Sequence, residues 1–297
     1  MSAHEEPLGR PEPWPAPGKL NLFLHVVGCR PDGYHLLQTA FQFIDLADEL
    51  RFFRRPAGVV ERIGEIAGVP AETDLAVRAA RMLLRRRVAP AAGVAIEVRK
   101  RLPMQAGVGG GSSDAATALV ALNELWGLAL TAESLAGLGL ELGADVPVFV
   151  HGRAAWAEGV GERLTPLDLP ESVFLLVRPD ATVGTAEVFK DPELTRDSPT
   201  IKIADFLATG GRNDCEPVVR RRSPAVAEAL NWLGRYAPAR LTGTGSCVFA
   251  AMPDEASARA VLESLPTRWS GHVVRGLNRS PLEARLALER DAPGSGR

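Results

Sequence analysis

The segment Pro103–Ser113, Pro-Met-Gln-Ala-Gly-Val-Gly-Gly-Gly-Ser-Ser, constrains the fold more than any other part of the sequence. Apolar residues alternate with others just before it, over 94–98, which predicts a strand, and residues 114–126 have the apolar spacing of an amphipathic helix. Glycine leaves backbone N–H groups unobstructed and tolerates positive φ. The first N–H groups of a helix have no intrahelical partner, and the helix dipole favours negative charge there. The segment therefore predicts a polyphosphate site at the start of a helix.

Ser112, Ser113 and Asp114 follow the glycines, and their side-chain oxygens are suited to capping this helix. The spacing excludes two common nucleotide loops, because a Rossmann loop would need glycine at position 112 and a Walker A loop would need a lysine after the glycines. A flexible linker is disfavoured because the segment lies between a predicted strand and a predicted helix. The order Pro-x-x-x-Gly-x-Gly-Gly-Gly-Ser-Ser-Asp-Ala-Ala resembles the phosphate-binding motif of the GHMP kinases, the superfamily of galactokinase, homoserine kinase and mevalonate kinase.

Composition sets broad limits on the function. The 297 residues are 46% hydrophobic and 24% charged, which is ordinary for a globular enzyme of one large or two smaller domains. A net charge of −2 argues against general binding to nucleic acid or to a membrane surface, which would need a basic field. The three cysteines are widely spaced and odd in number, which favours a reducing cytoplasm over a disulfide framework or a metal cluster. No stretch approaches the ~18 to 20 apolar residues of a membrane helix.

The segment Lys19–Val26 alternates leucine and valine with other residues, which predicts a strand with one apolar face. The two-residue period places Lys19 and Asn21 on the same side, about 7 Å apart along the strand. From this pattern alone, an exposed strand face is the favoured interpretation of the pair.

A proline-aspartate-glycine turn follows within Arg30–His35, and the pattern alone would leave the ring of Tyr34 half-buried. The opening Pro-Gly-Lys-Leu-Asn-Leu, together with Arg-Pro-Asp-Gly-Tyr-His, is similar to the opening of one branch of the GHMP kinases. That branch phosphorylates a cytidine-diphosphate-linked methylerythritol. Its usual Ala-Lys-Ile-Asn-Leu is altered here, but the lysine and the asparagine are kept.

Thr73 and Asp74 offer an N-cap for a helix predicted over Leu75–Arg87. The arginines at its end complement the helix dipole, which explains the basic run without nucleic acid. The family often has Asn-Leu, close to the adenine, where this chain has Asp74 and Leu75. The aspartate is therefore a departure at that contact.

Asp145 follows a helix predicted over Thr131–Leu142 and precedes the run Val-Pro-Val-Phe. From spacing alone, a turn-forming aspartate that binds its own backbone is about as plausible as a catalytic one. The resemblance favours catalysis, because Gly-Ala-Asp-Val-Pro-Phe-Phe surrounds the catalytic aspartate of the family and Asp145 stands in that place.

Later segments also resemble the family. Residues 182–191 predict a short helix that would supply a wall of the substrate pocket through Thr185 and Phe189, although core packing is an equal interpretation for Phe189. The Gly-Thr-Gly-Ser-Cys of residues 243–247 resembles a small-residue turn that packs under the phosphate loop. Residues 213–216, Asn-Asp-Cys-Glu, resemble a structural Asn-Asp-Leu-Glu of the family.

The resemblance implies an α+β fold with two domains, a ribosomal-protein-like N-terminal half and a ferredoxin-like C-terminal half. We expect a disordered arm over 1–14, an ATP-binding domain over 15–168, a second domain over 169–280 and a flexible tail over 281–297.

The resemblance also implies a mechanism. Phosphoryl transfer needs positioning, charge neutralisation and a group that accepts the proton of the attacking hydroxyl. Asp145 would accept that proton, and Lys19 would stabilise the developing negative charge. ATP would be the co-substrate, and Mg²⁺ would arrive with it because Mg²⁺ keeps water and phosphate oxygens as ligands. The acceptor would be the 2-hydroxyl of the cytidine-diphosphate-linked methylerythritol.

The resemblance assigns further residues to each ligand. Those assigned to the nucleotide are Pro103, Met104, Gln105, Ala106, Gly107, Val108, Gly109, Gly110, Gly111, Ser112, Ser113 and Leu75. Those assigned to the acceptor are Asn21 for the erythritol portion, Tyr34 and His35 for the cytosine, and Thr185 and Phe189 for the pocket wall. No residue is assigned to a metal, and a monomer or weak homodimer is expected.

Three alternatives stay open at this point. A GHMP kinase could act on another small alcohol, such as homoserine or mevalonate, and a substrate panel would separate these. An RNA-binding module is disfavoured by the near-neutral charge. A catalytically dead nucleotide sensor would be expected to lack Lys19 or Asp145, and both are present.

Overall fold

The computed structural model describes residues 6–85 and 93–291. Within them, the N-terminal half has strands β1 (Trp14–Cys29), β2 (His35–Arg55), β3 (Val60–Ile63), β4 (Gly93–Arg99), β5 (Ala155–Glu158) and β6 (Arg163–Pro166). Its helices are α1 (Leu75–Arg85), α2 (Gly110–Leu125), α3 (Ala132–Leu142) and α4 (Val146–His151). The C-terminal half has strands β7 (Val173–Arg178), β8 (Ala239–Leu241), β9 (Val248–Met252) and β10 (Ser270–Leu277). Its helices are α5 (Thr185–Phe189), α6 (Ile203–Thr209), α7 (Glu216–Arg222), α8 (Pro224–Leu233), α9 (Glu255–Glu263) and α10 (Pro281–Arg290).

The described strands form one ten-stranded sheet in the order β3-β4-β2-β10-β7-β9-β8, with β1 and β5 paired to β2 and β6 paired to β5. The long strand β2 is the centre of the N-terminal half, because it pairs antiparallel with β1, β4, β5 and β10. Strand β10 joins the halves, since it pairs with β2 on one side and β7 on the other. Helices and a mixed sheet in this arrangement confirm the α+β class. The domain boundary at residue 168 stays a prediction.

Three apolar clusters hold the site in place. The largest packs α1 to α4 against β1, β2 and β4, and α2 is buried along most of its length. A second cluster lies in the C-terminal half under β7 and β9. The third joins the halves beside the glycine-rich segment, with Leu20 of β1, Val108 of that segment and Phe249 of β9 among its members. Residues from both halves therefore meet at the glycine-rich segment.

The structure differs from the expected disordered arm over the described residues 6–14. Pro7 forms a β-bridge with Phe53, and the side chain of Leu8 is buried. Trp14 already belongs to β1 and is 1% exposed. Burial of these apolar side chains against the first core explains the order, and residues 1–5 lie outside the described part.

The expected flexible tail is wrong for residues 281–290, which form α10. Ser280 caps this helix by accepting a hydrogen bond from the backbone N–H of Leu282. The guanidinium of Arg285 lies 4.3 Å from the centre of the Trp14 ring and is paired at 2.8 Å with Glu289. This contact between the two ends of the chain could not be read from local sequence, and residues 292–297 are outside the described part.

Helix α1 ends at Arg85 in the structure, and positions 86–87 of the predicted helix lie outside the described residues. Among the helices that are described, none has the length and apolar character needed to cross a bilayer.

Candidate active site

The glycine-rich segment turns into α2 earlier than the capping residues suggested. The helix begins at Gly110, preceded by Gly109 in the left-handed conformation at φ 74°, and no side chain caps it. The prediction that Ser112, Ser113 and Asp114 cap the helix is therefore wrong: they lie inside its first turns, and Ser113 and Asp114 are buried. The first backbone N–H groups of α2 remain available to an anion.

The turn at residues 242–247, in the C-terminal half, holds this loop through hydrogen bonds. The hydroxyl of Thr242 donates to the carbonyl oxygen of Gly107 at 3.1 Å, and the N–H of Cys247 donates to the carbonyl oxygen of Ala106 at 3.1 Å. A Cβ atom on Gly107, whose φ is +77°, would lie 2.1 Å from the carbonyl oxygen of Thr242. The prediction that residues 243–247 pack under the glycine-rich loop is confirmed.

Lys19 and Asn21 are 3% exposed, so the exposed strand face that the pattern favoured is wrong. The reason is tertiary: the turn that supports the loop also covers this face of β1, and the N–H of Asn21 donates to the hydroxyl of Thr242 at 3.0 Å. The side-chain amide of Asn21 donates to the Thr39 hydroxyl at 2.9 Å. The pair is thus part of a buried polar network.

The ammonium of Lys19 connects this network to Asp145. Its Nζ lies 3.2 Å from Oδ2 of Asp145, donates to the carbonyl oxygen of Gly107 at 3.2 Å and also donates to Oδ1 of Asn21. These three acceptors can satisfy the three N–H bonds of the ammonium. The backbone N–H of Lys19 donates to the carbonyl oxygen of Val108 at 2.9 Å, which holds β1 against the loop.

Asp145 lies at the start of α4, but its side chain makes no capping hydrogen bond there. The interpretation of Asp145 as a residue that caps its own turn is therefore not supported. Its side chain is 35% exposed, whereas the Lys19 side chain beneath it is 3% exposed. A carboxylate that is reachable from solvent and held by a buried cation is suited to accept a proton from a bound hydroxyl.

The loop lies directly beside this pair. A Cβ atom on Gly109 would be 2.8 Å from the ring of Phe149 and 3.1 Å from Cε of Lys19. Phe149 belongs to α4, which Asp145 precedes. Loop, cation and carboxylate therefore occupy one small region, as the predicted roles require.

Leu75 also lies beside the loop, at the start of α1, where its Cδ1 is 3.6 Å from the position of a Cβ on Gly111. The neighbouring Asp74 is buried, caps α1 by accepting from the N–H of Ala76 at 2.9 Å and pairs with Arg62 at 3.0 Å. Asp74 is thus engaged by the protein itself.

The predicted nucleotide residues Pro103, Met104 and Gln105 line a cavity of about 550 Å³. Its other walls come from the loop before α1 and from the edge of the C-terminal half, at residues Ala67, Gly68, Lys100, Arg101, Leu102, Arg178, Thr182, Ser270 and His272. The cavity adjoins the start of α2 through the same segment.

The predicted acceptor residues fall into two places. Thr185 shares a hydrogen bond of 2.9 Å with Thr244, so the start of α5 lies at the turn below the loop. The rings of His35 and Phe189 lie with centroids 5.0 Å apart and planes inclined by 35°. The ring of Tyr34 is 63% exposed, more than the half-buried position expected from the pattern.

Sequence reasoning missed Arg196, which holds His35. Its Nε donates to Nε2 of His35 at 3.2 Å. The pKa of His35 is lowered from its usual value by burial and then by the charge of Arg196. No spacing in the sequence connects these two residues, because the contact forms only when the loop after α5 folds back onto the start of β2.

Sequence reasoning also missed Lys100, whose Nζ is 2.7 Å from Oδ2 of Asp114 and bonded to Oδ2 of Asp48. The same Nζ lies 3.4 Å from the position of a Cβ on Gly110, directly below the start of α2. Burial raises the pKa of Asp114 to about 7; Lys100 opposes that rise and the nearby Asp48 adds to it. A lysine just before the loop could have signalled this group.

The described residues contain no cluster of three or more His, Cys, Asp or Glu side chains arranged to hold a metal ion. They therefore offer no carboxylate cage for Mg²⁺.

Comparison with known proteins identifies the family of the chain. The model of the GHMP kinases N terminal domain matches residues 74–153, and that of GHMP kinases C terminal matches residues 198–271. The chain belongs to the GHMP kinases. The N-terminal match contains the phosphate loop and Asp145, and the C-terminal match contains the supporting turn.

This GHMP kinase is 57% identical over 269 residues to a protein of Nitrosococcus oceani named 4-diphosphocytidyl-2-C-methyl-D-erythritol kinase, a match that covers 91% of the chain and 96% of the relative. A protein of the same name from Halorhodospira halophila is 58% identical over 277 residues, covering 92% and 96%. A crystal structure of 4-(cytidine 5'-diphospho)-2C-methyl-D-erythritol kinase superposes with a TM-score of 0.75 at 34% identity and covers 89% of this chain and 98% of that one. A mevalonate kinase structure, 16% identical with a TM-score of 0.64, shares the fold.

Proposed function

We propose that this GHMP kinase transfers the γ-phosphate of ATP to the 2-hydroxyl of 4-diphosphocytidyl-2-C-methyl-D-erythritol, giving the 2-phosphate and ADP in non-mevalonate isoprenoid precursor biosynthesis. One observation carries the proposal: Lys19 and Asp145 lie 3.2 Å apart beside the phosphate loop, in a chain 57–58% identical to kinases named for that substrate. The extent of these matches supports a shared substrate, since they cover more than nine-tenths of the chain.

The nucleotide would bind through the backbone rather than through charged side chains. The free N–H groups at Gly110, Gly111 and Ser112 would donate to the β- and γ-phosphates at the positive end of the α2 dipole. The nucleoside would extend into the cavity lined by Pro103 and Met104. Mg²⁺ bound with ATP would neutralise charge on the phosphates and would be held by their oxygens and by water.

Asp145 would accept the proton of the 2-hydroxyl as the phosphoryl group is transferred, a contribution of typically ~10²–10⁴-fold in rate. Lys19 would hold the carboxylate in position and stabilise the charge that develops on the transferred group. Because Lys19 also binds Gly107 and Asn21, its ammonium is fixed before substrate arrives. Preorganised charge of this kind lowers the barrier without reorganisation during the reaction.

The acceptor would be held by residues of both halves. Asn21 would contact the erythritol portion close to Lys19, and Thr185 would wall the same end of the pocket. The cytosine would lie at His35 and Phe189, with the exposed ring of Tyr34 available to stack on it. The compartment we propose is the cytoplasm, and the assembly state is a monomer or weak homodimer.

A substrate panel tests the proposal. Each reaction contains the purified chain, Mg·ATP and one acceptor: 4-diphosphocytidyl-2-C-methyl-D-erythritol, homoserine or mevalonate. ADP release is measured in each. We expect turnover with the cytidyl compound, and ³¹P NMR should show a new phosphomonoester on its 2-oxygen. Phosphorylation of homoserine or mevalonate in preference to the cytidyl compound would overturn the assignment of the substrate.

A further inference from the structure

Arg196 occupies a rigid position next to the proposed base pocket. Its guanidinium donates to the carbonyl oxygens of Leu194 at 3.0 Å, Phe189 at 2.8 Å and Asp191 at 2.8 Å. Its Nε donates to Nε2 of His35 at 3.2 Å. Three carbonyl oxygens fix the planar guanidinium, so the imidazole meets a donor whose direction is set in advance.

The chemistry of this contact decides the protonation of the His35 ring. A guanidinium has only donors, whereas a neutral imidazole has one donor nitrogen and one acceptor nitrogen. Nε2 must therefore be the acceptor, and the proton of the neutral ring must be on Nδ1. Burial and then the positive charge of Arg196 lower the pKa of His35, which favours this neutral form.

The surroundings of His35 are consistent with a single ring orientation. Phe189 of α5 lies against the ring, with centroids 5.0 Å apart. On β1 the residue in register with His35 is Cys29, which is exposed, and the adjacent Tyr34 points to solvent. Among the described residues, Arg196 is the charged group whose effect on the pKa of His35 is resolved.

We propose that Arg196 is a positioning residue for the acceptor substrate: by occupying Nε2, it makes His35 present Nδ1–H to the base. A cytosine ring offers two adjacent hydrogen-bond acceptors, N3 and O2, and these require a donor on the protein. The Nε2–H tautomer would present the lone pair of Nδ1 instead and would be repelled. This inference rests on the proposed function, because it assumes that the acceptor carries the cytosine.

The tautomer can be observed without catalysis. Long-range ¹H–¹⁵N NMR correlations distinguish the two neutral tautomers of each of the five histidines, and a His35→Gln variant assigns the His35 signals. We expect the Nδ1–H form at neutral pH in the wild-type protein. An Nε2–H ring, or a charged ring at pH 7, would overturn the inference without any measurement of catalysis.

Kinetics of an Arg196→Met variant test the consequence for the substrate. With the donor removed, the ring can take either tautomer, so we expect KM for the cytidyl acceptor to rise about tenfold, the size expected for loss of one charge-assisted hydrogen bond. The kcat and the KM for ATP should change little, because Arg196 contacts neither the phosphate loop nor Asp145. The KM defect of Arg196→Met should shrink as the pH falls, since removal of the guanidinium charge raises the pKa of His35 and a protonated ring donates from both nitrogens. Arg196→Lys keeps the positive charge and a hydrogen-bond donor, so its KM for the acceptor should lie between those of the wild type and Arg196→Met.

Arg221→Met is the matched control. Arg221 binds Asp191 at 2.6 Å and also Glu193, so this variant loosens the same loop without touching His35. An equal rise in KM in both variants, or a KM defect in Arg196→Met that does not change with pH, would show that Arg196 only orders the loop. The two failures are distinguishable: absence of wild-type turnover with the cytidyl compound defeats the proposed function, whereas normal turnover with an unaltered KM in Arg196→Met defeats this inference alone.

Discussion

Gly107 and Thr242 lie so close together that a Cβ atom on the glycine would be 2.1 Å from the threonine carbonyl oxygen. The two residues come from different halves of the chain, and the Thr242 hydroxyl also bonds to the carbonyl of Gly107. The phosphate loop is therefore shaped by contact with a turn of the other half, not by its own sequence alone.

We expect a Gly107→Ala variant to lose both stability and nucleotide affinity. The methyl group overlaps a backbone oxygen, and the φ of +77° is one that side chains rarely adopt. The combined cost should be about 3 kcal/mol or more in free energy of unfolding. Denaturant unfolding and calorimetric titration with ATP measure the two effects.

Gly127→Ala is the control for this variant. Gly127 has a φ of +62°, but no atom lies within 4 Å of the position of its Cβ. The variant should therefore lose only the roughly 1–2 kcal/mol in free energy of unfolding that a left-handed backbone conformation costs a residue with a side chain. Nucleotide binding should be unchanged. Equal losses in the two variants would show that the contact with Thr242 is unimportant.

We expect Asp145→Asn to lose phosphoryl transfer while it still binds nucleotide. The amide keeps the size of the side chain but cannot accept the substrate proton, so kcat should fall by about 10²–10⁴-fold. Steady-state turnover gives kcat, and calorimetry gives the affinity for ATP. Asp180→Asn, at an exposed position, should leave both unchanged. Wild-type turnover in Asp145→Asn would remove the assignment of the base.

We expect Asp74→Asn to destabilise the fold although asparagine is common at this place in the family. Both side chains of the Arg62–Asp74 pair are nearly inaccessible, at 4% and 6% exposure. Asparagine still caps α1, so the variant removes only the charge and leaves Arg62 buried without a counter-ion. Breaking a buried pair costs about 3–5 kcal/mol, measurable by denaturant unfolding. The double variant Arg62→Met with Asp74→Asn should recover much of the loss; no recovery would show that the pair is not the cause.

The pH dependence of stability should change in Asp114→Asn. In the folded protein the pKa of Asp114 is raised from 3.8 to about 7, so the folded state binds more protons than the unfolded state between these values. The contribution of Asp114 is thus fully present below about pH 4 and is lost as the pH rises through about 7. The stability of Asp114→Asn relative to wild type should rise over this window, by at most about 1.4 kcal/mol per pH unit, and level off above it.

Asp254→Asn should change the pH dependence of stability in the opposite direction. Its pKa is lowered by the hydrogen bond from the N–H of Ser257, so its contribution is present above the usual pKa and lost as the pH falls. Unfolding curves from pH 4 to pH 8 compare the two variants, and Asp254→Asn should differ from wild type by a constant amount over that range, because its contribution changes only below pH 3.8. A flat difference between Asp114→Asn and wild type over that range would contradict the raised pKa.

Local sequence patterns predicted many elements correctly, because each depends on neighbours in the chain. The alternation over 94–98 became β4, and Thr131 caps α3 by accepting a hydrogen bond from the N–H of Ser134. The short helix expected within 182–191 is α5. In each case a hydrophobic period or a cap acts over a few residues, so no distant contact is needed.

Predictions based on residue type without tertiary context were less successful. Serine and aspartate after the glycines suggested caps, but α2 starts at Gly110 and buries Ser113 and Asp114. The tail was expected to be flexible from its position, yet α10 docks against Trp14 through Arg285. Burial depends on what covers a face, and the covering segments come from remote parts of the chain.

The sequence alone predicted the glycine-rich loop and its following helix and, through the family motifs, singled out Lys19 and Asp145. Only the tertiary structure decided that these two are 3.2 Å apart, that Lys19 is buried among oxygen atoms, and that Arg196 holds His35. The physical reason is that a hydrophobic period and a cap act between neighbours in the chain, whereas hydrogen bonds and charges act between neighbours in space, and the fold alone determines which residues those are.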